Sequence, residues 1–405
     1  MLQKIFRVTR VLKNTRLVIR KPKHTAVALV HKDGLATLES FVERHEISVL
    51  DSSELNLWIL IQCLFTRKFD LLGYISTYIK TIKPKLVITF IDNDPNFYLL
   101  KAIYPAPKYV SVQNGLRHNY SHKVKGGFFD LLDSAGSIEK LSADLICTFG
   151  TASSAMYKQR VQTSCLVTGN LKNNLANFPD TQSDYIYDIV FMSQLAPFDF
   201  SNSDQRIYLN DSSVSIQEFY EIESQVAKFL AEYCVMHSLR FAVSGKREAK
   251  DSYEANFFSK AIGELPFTFL PKTDSYSSYI NALHSQLVIV VDSTIGYELL
   301  SRGKRVGFFS ARTITENQSQ GKYRDTCFGY PNTYPDRGSF WTNSQNPIDY
   351  ERIIKYLLTI SDAEWSKEIE QYTEALMAYR PTNGEFTHML EQEGIPVRSE
   401  VLHRA

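Results

Sequence analysis

Leu287-Val-Ile-Val-Val-Asp292-Ser293-Thr294-Ile-Gly296-Tyr-Glu298-Leu-Leu-Ser-Arg302-Gly303-Lys-Arg-Val306 runs from an apolar β-branched stretch through a polar pair and an amphipathic segment to a second apolar start. A strand buried on both faces, a helix and a return strand make the βαβ unit of a parallel sheet. Ligands of such sheets lie beyond the carboxyl ends of the strands, which is where Asp292, Ser293 and Thr294 fall. Ser293 and Thr294 open the helix, so two hydroxyls and the first-turn amides are available to a phosphate. Glu298 stands one turn further on and can accept from a ribose or sugar hydroxyl. Its alternative is an i,i+4 pair with Arg302, worth only about 0.3 to 0.5 kcal/mol.

Outward from that unit the alternation repeats. Residues 189–192, 240–243, 267–270 and 306–309 read as further strands, with a long helix over 216–237. Before them, 26–30, 47–50, 86–90, 109–112, 145–149 and 165–168 form an earlier strand set, with an apolar helix over 55–82. A polar stretch, 179–185, separates the two sets, and 350–379 is helical in pattern. At 405 residues the chain exceeds one hydrophobic core. The expected domains are therefore 1–180, 181–380 and a tail, 381–405.

Lys and Arg number 45 against 44 Asp and Glu, so no overall field attracts nucleic acid, and none is expected as a partner. The charge is uneven locally: Lys4, Arg7, Arg10, Lys13, Arg16, Arg20, Lys21 and Lys23 precede any acid, interleaved with Leu2, Ile5, Phe6, Val8, Val11 and Leu12. Such an arm suits peripheral contact with an anionic membrane, or is an ordinary first element with a basic face. Cys63, Cys147, Cys165, Cys234 and Cys327 lack the spacing of a zinc site and read as reduced thiols. No secretory signal is recognised, and the run 55–65 is too short to span a bilayer and reads as a core helix. The cytoplasm is the expected location, with the inner face of its membrane as the place of any peripheral contact.

Leu86-Val-Ile-Thr-Phe-Ile-Asp92-Asn93-Asp94 is a strand ending in polar groups at the ligand edge. Asn93 and Asp94 are also good caps for a helix starting at Pro95. Tyr109-Val-Ser-Val-Gln113-Asn114-Gly115-Leu-Arg117-His118 repeats the arrangement: Gln113 and Asn114 can donate to sugar hydroxyls, and Gly115 admits a positive φ or a close ligand. Thr168-Gly-Asn170-Leu-Lys-Asn173-Asn174 closes the first domain at the expected hinge. Val243-Ser244-Gly245-Lys246-Arg247 follows a strand with a hydroxyl, backbone amides and two cations suited to a pyrophosphate, without Walker spacing.

Together Phe90-Ile-Asp92-Asn93, Ser111-Val-Gln113-Asn114-Gly115, Gly169-Asn170-Leu-Lys-Asn173-Asn174 and Asp292-Ser293-Thr294-Ile-Gly296-Tyr-Glu298 resemble bacterial surface-carbohydrate transferases of the GT-B fold. Among these the chain is most similar to the Kdo (ulosonic acid) transferase group of capsule and O-antigen synthesis. The resemblance covers most of 85–312 and is most specific from Asp292 to Lys304. It implies an α/β architecture of two Rossmann-like, doubly wound domains facing across a cleft.

It further implies transfer of a sugar such as Kdo, from a CMP-activated donor, to a surface-polysaccharide or lipid-linked glycan. Donor nucleotide would sit on Ser244, Gly245, Lys246, Arg247, Asp292, Ser293, Thr294 and Glu298. Acceptor would sit on Gln113, Asn114, Gly115, Arg117, Asn170 and Asn173. The catalytic set would be Asp92, Asn93, Asp94 and His118, with Asp92 as nucleophile if the reaction retains configuration. The acid/base is open among Asp94, His118 and Glu298. Asp92-Asn-Asp94 has the spacing of a metal motif but lies on the acceptor side, so neither a metal nor a bound cofactor is expected. A CDP-polyol phosphotransferase and a non-catalytic glycan-binding subunit are the alternatives.

Overall fold

The computed structural model describes residues 16–51, 53–68, 70–116, 120–121, 128–176, 185–196, 205–209, 213–248, 250, 252–312, 327–330, 332 and 334–399. In the first half, strands β1 (Val27–Val30), β2 (Ile47–Leu50), β3 (Leu86–Thr89), β4 (Lys108–Val112), β5 (Ser142–Thr148) and β6 (Gln162–Val167) form one sheet in the order β2-β1-β3-β4-β5-β6. Every pairing in it is parallel. Alternate residues of one strand leave on opposite faces. Val27, Leu29, Ile88 and Val110 thus enter one core, and Ala28, Val30, Val87 and Tyr109 enter another.

The second half repeats the plan. Strands β7 (Tyr187–Met192), β8 (Phe241–Glu248), β9 (Thr268–Lys272), β10 (Ser285–Val290), β11 (Val306–Phe309) and β12 (Trp341–Thr342) are parallel in the order β9-β8-β7-β10-β11-β12. The architecture is α/β, with two Rossmann-like sheets of the GT-B type. Strand order reverses between β1 and β3 in the first sheet and between β7 and β10 in the second. In open α/β sheets such reversals open the crevices in which ligands bind.

Past the second sheet, the helices Pro347–Thr359 and Asp362–Leu376 lead the chain back over the first domain. The Ala378 amide donates to the Phe149 carbonyl at 2.8 Å. A Cβ on Gly150 would stand 2.2 Å from the Ala375 carbonyl oxygen, and one on Gly169 (φ +67) 2.0 Å from that of Ala378, so the crossing requires both glycines. Residues 384–398, set apart in sequence as a tail, are built into the first domain. The helix Gly384–Gln392 is too short to persist alone and places Phe386, Met389 and Leu390 in the core of Val27 and Leu29. Phe386 meets Phe41 edge-on, with centroids 5.0 Å apart.

The sequence reading of one core helix over 55–82 is corrected in two respects. Strand Glu54–Asn56 precedes two helices, Leu57–Thr66 and Leu71–Ile82. They are separated because Arg67 ends the first in a left-handed conformation and the Asp70 side chain accepts from Gly73 N to start the second. The Leu57–Thr66 helix is also no core helix: it buries Ile59 and Cys63 and leaves Trp58, Ile61, Leu64 and Phe65 exposed. The arm before residue 16 and most of 179–185 lie outside the described residues.

Candidate active site

The carboxyl ends of the two sheets meet. The Leu116 amide, beyond β4, donates to Thr294 Oγ1 at 3.2 Å, and Asn170 Nδ2, beyond β6, donates to Glu298 Oε1 at 2.5 Å. Asn173 Nδ2 donates to the Glu298 carbonyl at 3.3 Å, and Arg302 donates to the carbonyls of Asn173 and Ala176 at 2.8 and 2.9 Å. A second tie pairs Tyr120–Ser121 with strand Arg206–Leu209.

The reversal in the first sheet is spanned by a histidine the sequence reading did not single out. His31 follows β1 directly, with φ 67, and its Nε2 lies 3.0 Å from Asp94 Oδ2. Asp94 also caps the helix Pro95–Ile103, accepting from the Asn96 amide at 3.0 Å. The Asp94 hydrogen bond raises the His31 pKa above its ordinary value, against the opposing effect of burial. Burial would raise the Asp94 carboxyl, but the bonds from His31 and Asn96 hold it below its usual range. Both side chains keep some exposure, 32% and 16%, so the pair is open to a reactant.

Asp92 is completely buried. Its carboxylate accepts from the Tyr157 hydroxyl and, at 3.3 Å, from the Asn114 amide, while Tyr98 donates to its carbonyl at 2.7 Å. The group ties the ends of β3 and β4 to the helix Thr151–Lys158, where a nucleophile would need a path to its substrate. Asn93 is half-buried beside it. Gln113 is likewise committed: Oε1 accepts from Phe149 N at 2.9 Å and Nε2 donates to the Gly115 carbonyl at 3.1 Å. Asn114 is exposed and Gly115 half-buried at the cleft edge, and Arg117 and His118 lie outside the described residues. Asn170 caps the helix Leu171–Leu175. Asn170 and Asn173, expected on the acceptor side, instead donate to Glu298 across the joint between the two sheets.

In the second domain the expectation for 244–247 is corrected. These residues lie inside β8, at a register shift, and not beyond a strand. The Lys246 and Arg247 amides donate to the Glu254 carboxylate at 2.9 and 3.0 Å, and Ser193 donates to the same group. An internal anion thus occupies the amides that a pyrophosphate was expected to use. Ser244 is buried and accepts from Asn281 Nδ2 at 3.0 Å, and a Cβ on Gly245 would meet Phe269 at 2.6 Å.

Asp292 is held by Arg312, whose Nε donates to its Oδ2 at 2.9 Å, while Arg312 also donates to Glu223 Oε1 at 2.8 Å. The Asp292 amide donates to Gln194 at 3.2 Å, across the second reversal. Burial pushes the Glu223 carboxyl up to about 7, against the pull of Arg312. Glu298 is enclosed by Asn170 and the Tyr279 hydroxyl, and burial raises its pKa. It therefore closes the interdomain joint in this structure. Ser293 and Thr294 remain at the crevice: Ser293 is the N-cap of the helix Thr294–Ser301 and its side chain makes no capping bond among the described residues.

Among the described residues no group of three or more metal-ligating side chains converges, and no helix is long and apolar enough to cross a membrane.

A family model described as "putative O-antigen biosynthesis protein" matches residues 110–394, most of the chain. No curated protein matches. Among solved structures, the chain is similar to the UDP co-structure of MnaA from S. aureus (14% identity, TM-score 0.49, 92% of this chain and 98% of that one). It is similar also to sucrose-phosphate synthase from Thermosynechococcus elongatus (10%, 0.49, 91% and 99%) and to the wall teichoic acid polymerase TagF (10%, 0.47, 97% and 98%).

Proposed function

This chain belongs to the family described as "putative O-antigen biosynthesis protein", and from that premise we propose that it transfers a glycosyl unit from a nucleotide-activated donor to a surface-polysaccharide acceptor. The observation that carries the reading is the meeting of two crevices. A partly open His31–Asp94 pair lies at one reversal of strand order, and the helix start at Ser293–Thr294, where Ser293 makes no side-chain cap among the described residues, lies beside the other. Leu116–Thr294 and Asn170–Glu298 join the two edges. His31 stands two strand spacings from β4, about 10 Å.

In this reading the donor phosphate lies on Ser293, Thr294 and the first-turn amides of the helix, where the helix dipole favours negative charge. With Nε2 donating to Asp94, His31 Nδ1 is the atom that takes the acceptor hydroxyl proton as that oxygen attacks the donor carbon. The nucleotide phosphate departs with the bonding electrons. Asp92 positions β3 and β4 and forms no covalent intermediate, so a single displacement with inversion follows. Neither a metal nor a resident cofactor has a step, and transfer is expected to persist in EDTA. The donor proposed from the resemblance is CMP-activated, an ulosonic acid such as Kdo.

Calorimetric titration with CMP, CDP, UDP and GDP tests this directly. Tightest binding of CMP supports the ulosonic donor, and preference for CDP with turnover of a CDP-polyol reassigns it. Absence of binding by all four overturns the transferase reading and leaves a glycan-binding subunit.

A further inference from the structure

The helix Leu57–Thr66 has the composition of a buried segment and the placement of a surface one. Apart from Gln62 and Thr66 its residues are all apolar. Yet Phe65 is 83% exposed, Leu64 62%, Ile61 50% and Trp58 42%. A helix apolar all round belongs in a core or a membrane, and contiguous exposed apolar surface marks an interaction. The strand Arg16–Val18, which packs beside this helix, extends the face with exposed Leu17 and Ile19.

Behind that face is a cavity of about 540 Å³, within the range of about 300 to 1,000 Å³ of small-molecule sites. Leu50, Leu55, Leu60, Cys63, Tyr74 and Ile75 line it beside polar groups that include Asp51, Glu54 and Asp70, and Leu64 and Leu71, both exposed, belong to its lining as well as to the surface. Arg20, Lys21 and Lys23 follow the edge strand and Arg67 ends the helix, all exposed and without an ion pair among the described residues. The nearby acids are engaged: Glu54 lies 3.6 Å from Arg16, Asp51 3.9 Å from Lys32, and Asp70 caps a helix through Gly73 N at 2.6 Å.

We propose that this face docks on an anionic lipid surface and that the cavity takes one hydrocarbon chain of an amphiphile with an anionic headgroup. The apolar helix supplies burial, the unpaired cations complement the headgroups, and the cavity accommodates a chain withdrawn from the layer. His31 also lines the cavity, so a bound chain would lie beside the proposed general base; docking itself does not depend on donor chemistry, and vesicle binding is read apart from transfer.

The chain carries its own reporter. Of its three tryptophans, Trp341 and Trp365 are 4% and 1% exposed, so Trp58 alone is placed to sense a lipid. The full-length protein is expected to sediment with phosphatidylglycerol vesicles at low salt but not with phosphatidylcholine vesicles, with a blue shift of Trp58 emission. Replacing exposed Leu64 and Phe65 by Ser should weaken vesicle binding at least tenfold at unchanged melting temperature. Monomeric dodecyl phosphate should bind the parent one to one by calorimetry, and Leu60→Trp, which fills the cavity, should abolish that binding while vesicle binding persists.

No sedimentation with phosphatidylglycerol overturns the proposal, as does equal vesicle binding by the Ser variant. Unchanged dodecyl phosphate binding in folded Leu60→Trp overturns the cavity's part in it. A dimer that the Ser variant dissolves, with no lipid binding by the parent, gives the face to a second copy instead.

Discussion

At the reversal of the first sheet, His31 and Asp94 stand 3.0 Å apart and partly open to solvent. At the reversal of the second, Arg312 is locked between Asp292 and Glu223, and none of the three side chains is more than 2% exposed. One topological position thus hosts two kinds of charge. The open pair can exchange a proton with a reactant. The closed network cannot, but it fixes the loop that carries Ser293 and Thr294. Removing one member of a buried ion pair leaves the others uncompensated, so the second arrangement serves shape.

His31→Asn tests that contrast at its widest. Transfer should fall about 10²- to 10⁴-fold, the range of a lost general base, with melting temperature nearly unchanged at alkaline pH, where His31 is neutral. A variant that transfers at the parental rate would strip the first reversal of its chemistry. Arg312→Met should do the reverse, lowering unfolding free energy by about 3 to 5 kcal/mol in urea titrations. A loss below about 1 kcal/mol would mean that the network is not structural.

Asp92→Asn sharpens the comparison within the first domain. Because the carboxylate accepts from Tyr157 and Asn114, the change should cost about 1.5 to 3 kcal/mol of stability. Inactivity without that loss would restore a direct chemical role to Asp92.

The comparison also carries a pH dependence. The folded Glu223 pKa is raised to about 7, so the folded state favours its neutral form and stability declines as pH rises from the unfolded value, near 4.5, toward 7. The slope reaches at most about 1.4 kcal/mol per pH unit, and Glu223→Gln should flatten it. The first reversal has opposite signs. The raised His31 contributes stability that is complete below its unfolded value, 6.5, and lost as pH rises through the folded pKa. The lowered Asp94 contributes stability present above its unfolded value, 3.8, and lost as pH falls through the folded one. His31→Asn should therefore lose most between those two unfolded values.

Much of the fold was legible because hydrophobic periodicity is local. The β10 run and Ser293–Thr294 were read where they lie, and Asp94 was recognised as a possible cap because capping spans only a few residues. His31 was not found. A single histidine after a short strand carries no pattern, and its partner is 63 residues away. The amides at 246–247 were expected to await a phosphate because nothing local shows that Glu254 folds back onto them.

The sequence by itself determined two sets of parallel strands and the helix start at Ser293, since each depends on residues a few positions apart. Only the tertiary structure decided which carboxylates are enclosed and which stay open, and that the apolar helix Leu57–Thr66 faces outward. It also decided that residues 384–398 complete the first core. These outcomes depend on strand order and on which distant surfaces meet, because burial and charge pairing are properties of neighbours in space.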